Sequence, residues 1–368
     1  MPYWGMYLDY LGFSGKEIGQ LMAIFLATKM VAPNIWAWVA DWLVARYGSA
    51  MRMVVFATLL TFLIYLLLYL VAGFWPIAIV MLGYCIFWNA TLPQLEAATL
   101  NHINNKNQYG KIRLWGSLGF IITVTSVGLI MDLTGPEAIL PSGAIALFLL
   151  FLASLLMPNK KLAINGPTNK ESVNGISAVL NYKIVILLFL CFLMQLSHAP
   201  LQSFMSLYFE GYGYTNWQIG LLWTTGVVCE IFVFIFAYRL LERYTLSSML
   251  TFTFAVAALR WLFLGLFPDQ IGLVILTQAS HAITFGLYHA VMMQIINRLF
   301  VGVYQIRGQA LYSSITFGLG GAVGSFISGY IWSDIGKQEL FILVGLLMLV
   351  VSIISYFISD RLVGKASQ

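Results

Sequence analysis

Leu207–Glu230 reads LYFEGYGYTNWQIGLLWTTGVVCE, and Tyr7–Lys29 reads YLDYLGFSGKEIGQLMAIFLATK. The two align without gaps at an offset of 201 residues. Tyr7 falls on Tyr208, Asp9 on Glu210, Gly12 on Gly213, Ile18 on Ile219 and Gly19 on Gly220. A distant pair obeys the same shift: Gly128 and Gly135 in VGLIMDLTG fall on Gly329 and Gly336 in SGYIWSDIG. A duplicated unit accounts for both matches, so the chain consists of two related halves. The last aligned position carries Lys29 in one half and Glu230 in the other. Both stand in long apolar runs, where an ionisable side chain is costly and usually functional.

Sixty per cent of the 368 residues are hydrophobic and nine per cent are charged, against roughly 25% charged in soluble domains. A water-soluble fold could not cover its surface with so few charges. Apolar runs of about 20 residues recur, each long enough to cross about 30 Å of hydrocarbon as a helix. The expected class is an all-α polytopic membrane protein. Within it a net charge of +5 is no argument for a nucleic-acid partner. Cys85, Cys191 and Cys229 lie in apolar segments without CxxC spacing and read as small core hydrophobes. Neither a metal nor any other cofactor is expected.

Met1–Tyr10 is apolar and aromatic but too short to span, and it lacks the basic start and cleavage site of a signal peptide. The repeat matches it to the end of a full helix, about 184–208, so the first spanning helix is expected to be largely missing. Eleven spans follow, at about 17–42, 51–73, 75–99, 112–132, 138–157, 184–209, 217–240, 247–267, 270–298, 308–333 and 339–358. Loops 43–52, 100–113, 158–183, 238–246, 298–307 and the tail 359–368 hold fifteen of the nineteen Lys and Arg. Such asymmetry places these segments in the cytoplasm. The longest, Pro158–Lys183, reads as a linker between an N-terminal bundle (1–157) and a C-terminal bundle (184–368).

Two six-helix repeats with a cytoplasmic middle loop resemble the major facilitator superfamily. YGKIRLWGSLGF (Tyr109–Phe120), SHAPLQSFMSLYF (Ser197–Phe209), HAITFGLYHA (His281–Ala290) and RGQALYSSITFGLGGAVGSFISG (Arg307–Gly329) narrow this resemblance. They are similar to the branch typified by the 3-phenylpropionate permease, which is related to lactose permease and nucleoside–proton symporters. The resemblance implies a monomeric secondary transporter of the inner (cytoplasmic) membrane. Its expected activity is proton-coupled symport of a small organic solute, an aromatic carboxylate such as 3-phenylpropionate. One departure is in AWVADWLVARYG (Ala37–Gly48): the superfamily's Gly-x-x-x-Asp-Arg becomes Ala37 to Trp42, with Asp41 kept as a cytoplasmic gate residue short of partners.

Substrate and coupling-ion sites of such transporters lie near the bilayer midplane, between the halves. Lys29 is expected to hold an anionic group there and Glu230 to carry a proton. The bland alternative is a buried ion pair keeping helices in register, and Arg260 on the antiparallel neighbour could meet Glu230 in that role. His281 and Tyr288 are seven residues apart and share a helix face, with His289 turned roughly 80° to one side. Histidine suits proton acceptance or donation to a carboxylate, and His198 sits mid-helix at the start of the second half. His102 falls in a basic loop. Asn89, Pro93, Gln94 and Glu96 make the fourth span polar and kinked, which suits a moving, cavity-lining element. The glycines of 318–329 allow close, sliding helix contacts, and Trp88 and Trp223 could stack on an aromatic solute.

A sugar or nucleoside is the alternative solute, with Lys29 then paired internally. A transport-inactive truncated homologue is a further alternative. An intramembrane enzyme is not expected, since HExxH, GxSxG and Walker stretches are absent.

Overall fold

The computed structural model describes residues 2–47, 49, 51–102, 106–157 and 181–363. Most of the expected linker (158–180) lies outside the described residues. Among the described residues the chain is helical throughout. The first half comprises α1 (Trp4–Tyr10), α2 (Gly15–Tyr47), α3 (Met51–Leu66), α4 (Phe74–Trp88), α5 (Thr91–His102), α6 (Lys106–Thr134) and α7 (Ile139–Leu155). The second comprises α8 (Tyr182–Ser203), α9 (Met205–Gly211), α10 (Asn216–Arg243), α11 (Leu246–Leu266), α12 (Ile271–Ala279), α13 (Tyr288–Leu299), α14 (Gln305–Ser313), α15 (Gly321–Asp334) and α16 (Lys337–Val363). Among the described residues eleven stretches are long and apolar enough to cross a membrane, matching the eleven expected. The seven residues of α1 are too few to span.

Breaks within spans have local causes. The fourth span divides at Asn89–Ala90, between α4 and α5. A proline ring at position 93 clashes with the carbonyl four residues earlier, so the α-helical ladder stops there. In the seventh span, Pro200 precedes the bend at Phe204 that separates α8 from α9. Two further spans contain π-helical segments, Ala282–Leu287 between α12 and α13 and Ser314–Gly320 between α14 and α15. Such widened turns shift the helix face and are frequent at functional sites.

Two of the repeat's glycine pairs mark turns at one end of the molecule. Gly12 and Gly213 follow α1 and α9 with φ of 85° and 83°. Gly135 and Gly336 follow α6 and α15 with φ of 100° and 157°. A side chain at such angles is strained, which explains why these positions read as glycine in both halves.

Inside the second half, α11 and α16 are joined by a polar ladder in which Thr251 Oγ1 lies 2.9 Å from Ser355 Oγ, and Ser247 bonds Ser359 and Asp360. Large apolar side chains such as Leu70, Trp75, Leu156 and Tyr356 remain exposed on the outer faces, as lipid-facing surfaces require. The halves meet where α2 packs on α15 and on the 314–320 segment, and where α6 packs on α10.

Candidate functional site

The two halves are clasped at the end opposite the basic loops, which is the outside by charge asymmetry. A methyl group added at Gly19 would lie 2.7 Å from Gly329 Cα, and one at Gly220 would lie 3.0 Å from the Val124 carbonyl oxygen. Gly128 abuts the Asn216 carbonyl. Tyr3 reaches across the same seam, its hydroxyl within 2.9 Å of the Val124 oxygen and 3.0 Å of the Asn216 oxygen.

Charge reinforces both seams. Asp132, near the end of α6, accepts from the Asn216 and Trp217 N–H groups at 2.8 and 2.9 Å. These are first-turn donors of α10, where a carboxylate satisfies orphan N–H groups and opposes the helix dipole. Thr215 and Gln218 close the same terminus as a capping box. On the symmetry-related seam, Lys16 Nζ lies 2.7 Å from Asp334 Oδ1. Sequence reasoning missed Tyr3, Asp132 and this ion pair. Their only sequence signal was proximity to the repeated glycines.

The cytoplasmic end is different. Methyl groups added at Gly116 and Gly119 of α6 would meet nothing within 4 Å, and Trp115 is 72% exposed. Asn34 on α2 faces Arg307, Leu311 and Ser314 across an open cavity of about 320 Å³. Among the described residues the halves are therefore sealed against each other at the outer end, while an open cavity lies between α2 and α14 nearer the cytoplasmic end. Asp41, the expected gate residue, lies exposed near the cytoplasmic end of α2.

At the outer rim the repeat brings two acids together. Asp9 lies in the last turn of α1 and Glu210 in α9, and the charge of Asp9 acts on Glu210. Partial burial, then Asp9, raises Glu210 above the usual carboxylate range, while Lys337 opposes the shift. A raised acid favours the closed state while protonated, and that contribution is lost as pH rises through its value. Lowering the pH is thus expected to slow labelling of a cysteine at Tyr3 by an impermeant reagent added outside by more than it slows labelling of free cysteine. Glu210→Gln should flatten that pH dependence.

Lys29 and Glu230 each stand 14 residues beyond the first residue of α2 and α10, about 21 Å along the axis. That is mid-depth in a bilayer of about 40–45 Å including headgroups. Both side chains are half-buried. Lys29 Nζ sits 5.3 Å from the Phe25 ring centre, and the next residue, Met30, fits against Gly318. Glu230 packs against Gly286 in the 282–287 segment, its Cγ 3.0 Å from where a methyl group would stand.

The described hydrogen bonds of Arg260 go to His281, Thr284 and His198. Its Nη1 donates to His281 Nδ1 at 3.1 Å and to Thr284 Oγ1 at 3.0 Å, with His198 Nε2 at 3.5 Å. These bonds place Arg260 at the level of His281 and Thr284, whereas Glu230 lies against Gly286 further along. His198 Nδ1 donates to the Met194 carbonyl at 2.9 Å, leaving Nε2 to accept from Thr284 at 3.2 Å. Both imidazoles therefore point an accepting nitrogen at this network. Arg260 is 2% exposed, and its Nε and Nη2 have no partner.

The remaining residues divide between the halves. His289 lies among the rings of Tyr312 and Phe317, at 6.3 and 6.1 Å. Tyr288 is buried, with no hydrogen-bond partner for its hydroxyl. Asn89 donates to Thr28 Oγ1 at 3.0 Å and to the Cys85 carbonyl at 2.8 Å, tying α4 to α2. Glu96 is half-buried on α5. Trp88 lines a cavity of about 190 Å³ with Trp4, Tyr65 and Phe120, and Trp223 Nε1 donates to Ser206 Oγ at 3.1 Å.

Residues 1–343 match the family described as MFS_1 like family. The chain is 27% identical over 360 residues to the probable 3-phenylpropionic acid transporter of Escherichia coli (strain K12), covering 93% of this chain and 89% of that protein. It is also 27% identical over 346 residues to the maltose permease of Geobacillus stearothermophilus, covering 91% and 85%. The crystal structure of the nucleoside transporter NupG superposes with a TM-score of 0.83 at 16% identity, over 99% of this chain and 94% of that one. A peptide transporter POT in complex with alafosfalin gives 0.74 at 13% identity, over 98% and 92%.

Proposed function

This chain belongs to the MFS_1 like family of membrane transporters, and from that premise we propose that it is a proton-coupled symporter of small organic carboxylates. An aromatic acid such as 3-phenylpropionate is the solute that best suits its residues. The observation that carries the reading is the pair Lys29 and Glu230. They bring opposite charges to repeat-equivalent positions about 21 Å beneath a sealed outer rim, with an open cavity between α2 and α14 nearer the other end.

The cycle follows from that placement. With the outer seams parted, Glu230 takes a proton and Lys29 attracts the carboxylate. Closure of the glycine seams then delivers both to the cytoplasmic side. Coupling requires each ligand to favour one state over the other, since a ligand indifferent to the two shifts nothing. The two halves act as the rocking units, residues 158–183 as the cytoplasmic tether, and the protein works as a monomer in the inner membrane.

Uptake into proteoliposomes under an imposed proton gradient tests the reading. Wild-type protein should accumulate 3-phenylpropionate, and Lys29→Gln should lower that uptake by about tenfold, the factor for about 1.4 kcal/mol of lost ion attraction. Uptake of neutral solutes should be little changed. Equal loss for charged and neutral solutes would remove the anion argument. A sugar or nucleoside remains the second reading, favoured by the unpartnered buried hydroxyls of Tyr288, Tyr312 and Thr316.

A further inference from the structure

The cluster around Arg260 contains a fixed positive charge, two imidazoles and a hydroxyl, but no carboxylate among the hydrogen-bond partners of the guanidinium. Nη1 serves His281 and Thr284. The opposite edge, Nε with Nη2, has no partner although the residue is 2% exposed. That edge presents two parallel N–H groups in the fork that takes a carboxylate through both oxygens. Leaving such donors buried and unmade is costly, so the arrangement calls for an acceptor in some state of the cycle.

The surroundings define what the acceptor is attached to. The guanidinium lies over the Trp261 ring, Cζ 4.3 Å from its centre. His281 stacks on Phe285 with centres 5.1 Å apart and planes 11° from parallel. Phe285 in turn meets Phe317 at 6.1 Å. Each of these phenylalanines sits in a π-helical segment, 282–287 and 314–320, and each is only partly buried. Arg260 is six residues from the outer end of α11, on the side shut here.

We propose that Arg260 is the carboxylate-recognising residue of this transporter, its free Nε/Nη2 edge taking the acid group of an aromatic monocarboxylate whose ring packs toward Phe285 and Phe317. The inference rests on the reading of the protein as an organic-acid transporter. It assigns the head group to Arg260 on α11, with Lys29 attracting the anion from the facing half. Loading occurs from outside. The closed-outside state, in which the free edge is sealed, is the one that has released its solute to the cytoplasm. Thr284 sets the specificity: an acid there would neutralise the guanidinium from within the protein and leave no need for an acidic solute.

The test is equilibrium binding by wild type and two variants in detergent, using 3-phenylpropionate and its neutral isostere 3-phenylpropionamide. Wild type should bind the acid at least tenfold more tightly than the amide. Thr284→Glu places a carboxylate beside Nη1, and should lose at least tenfold in acid affinity in protein that remains folded and monodisperse. Arg260→Lys keeps the charge but not the fork, and should weaken the acid by a similar factor while weakening the amide distinctly less. Acid binding by both variants at the wild-type level overturns the assignment. So does Arg260→Lys weakening acid and amide equally, the mark of a purely structural arginine. If wild type binds neither compound while binding a sugar or nucleoside, the organic-acid reading itself fails and the assignment falls with it.

Discussion

Replacing Gly19 and Gly329 together by leucine should hold the outer side open and sharply reduce net uptake. A methyl group at Gly19 would already stand 2.7 Å from Gly329 Cα, and one at Gly329 would stand 2.6 Å from the Gly15 carbonyl oxygen. Both obstacles are backbone, which cannot turn aside as a flexible side chain can. Overpacking a tight contact costs about 1–3 kcal/mol. The leucines clash only in the state with the seam closed, so the equilibrium should move toward the outward-open state by roughly five- to 150-fold. A cysteine at Tyr3, buried in the closed seam, should then be labelled faster from outside, and uptake should fall by about the same factor. Unchanged labelling in a folded double variant would mean that this seam does not close the outer side.

Glu230→Gln should abolish proton-driven accumulation, by about 100-fold or more, while leaving exchange of internal for external solute largely intact. Glutamine keeps the shape that packs on Gly286 but never carries a proton. A transporter locked neutral at its carrier residue can still rock when loaded with solute. Its empty return, which requires release of the proton, is what net uptake adds to exchange. Equal loss of both activities would make Glu230 a packing or solute-binding residue instead. Counterflow measured beside gradient-driven uptake separates these outcomes.

The repeat was legible because it falls where geometry tolerates one residue type. Gly19 and Gly329 touch, Gly220 and Gly128 meet backbone across the other seam, and Gly12, Gly135, Gly213 and Gly336 occupy positive-φ turns. Lys29 and Glu230 were legible because charge in an apolar run is expensive whatever surrounds it. Arg260 was legible as unusual but not in its partners. Depth along a helix can be counted from sequence, whereas the reach of a long side chain toward His281 and Thr284 depends on helix rotation. Asp132 and Lys16 stand near span ends, where acids and bases are common, so nothing local distinguished a gate from a solvated terminus. The state of the molecule was not legible at all, since one sequence encodes both the closed and the open seam.

Lys29 and Glu230 are expected to line an aqueous path that opens only toward the basic loops. In a background without Cys85, Cys191 and Cys229, cysteines placed one at a time at positions 29 and 230 can be challenged with an impermeant thiol reagent. Inside-out and right-side-out vesicles present the two faces separately. The expected result is labelling from the cytoplasmic face in the absence of solute and slow labelling from outside. Inertness of both positions from both faces, or faster labelling from outside, would contradict it.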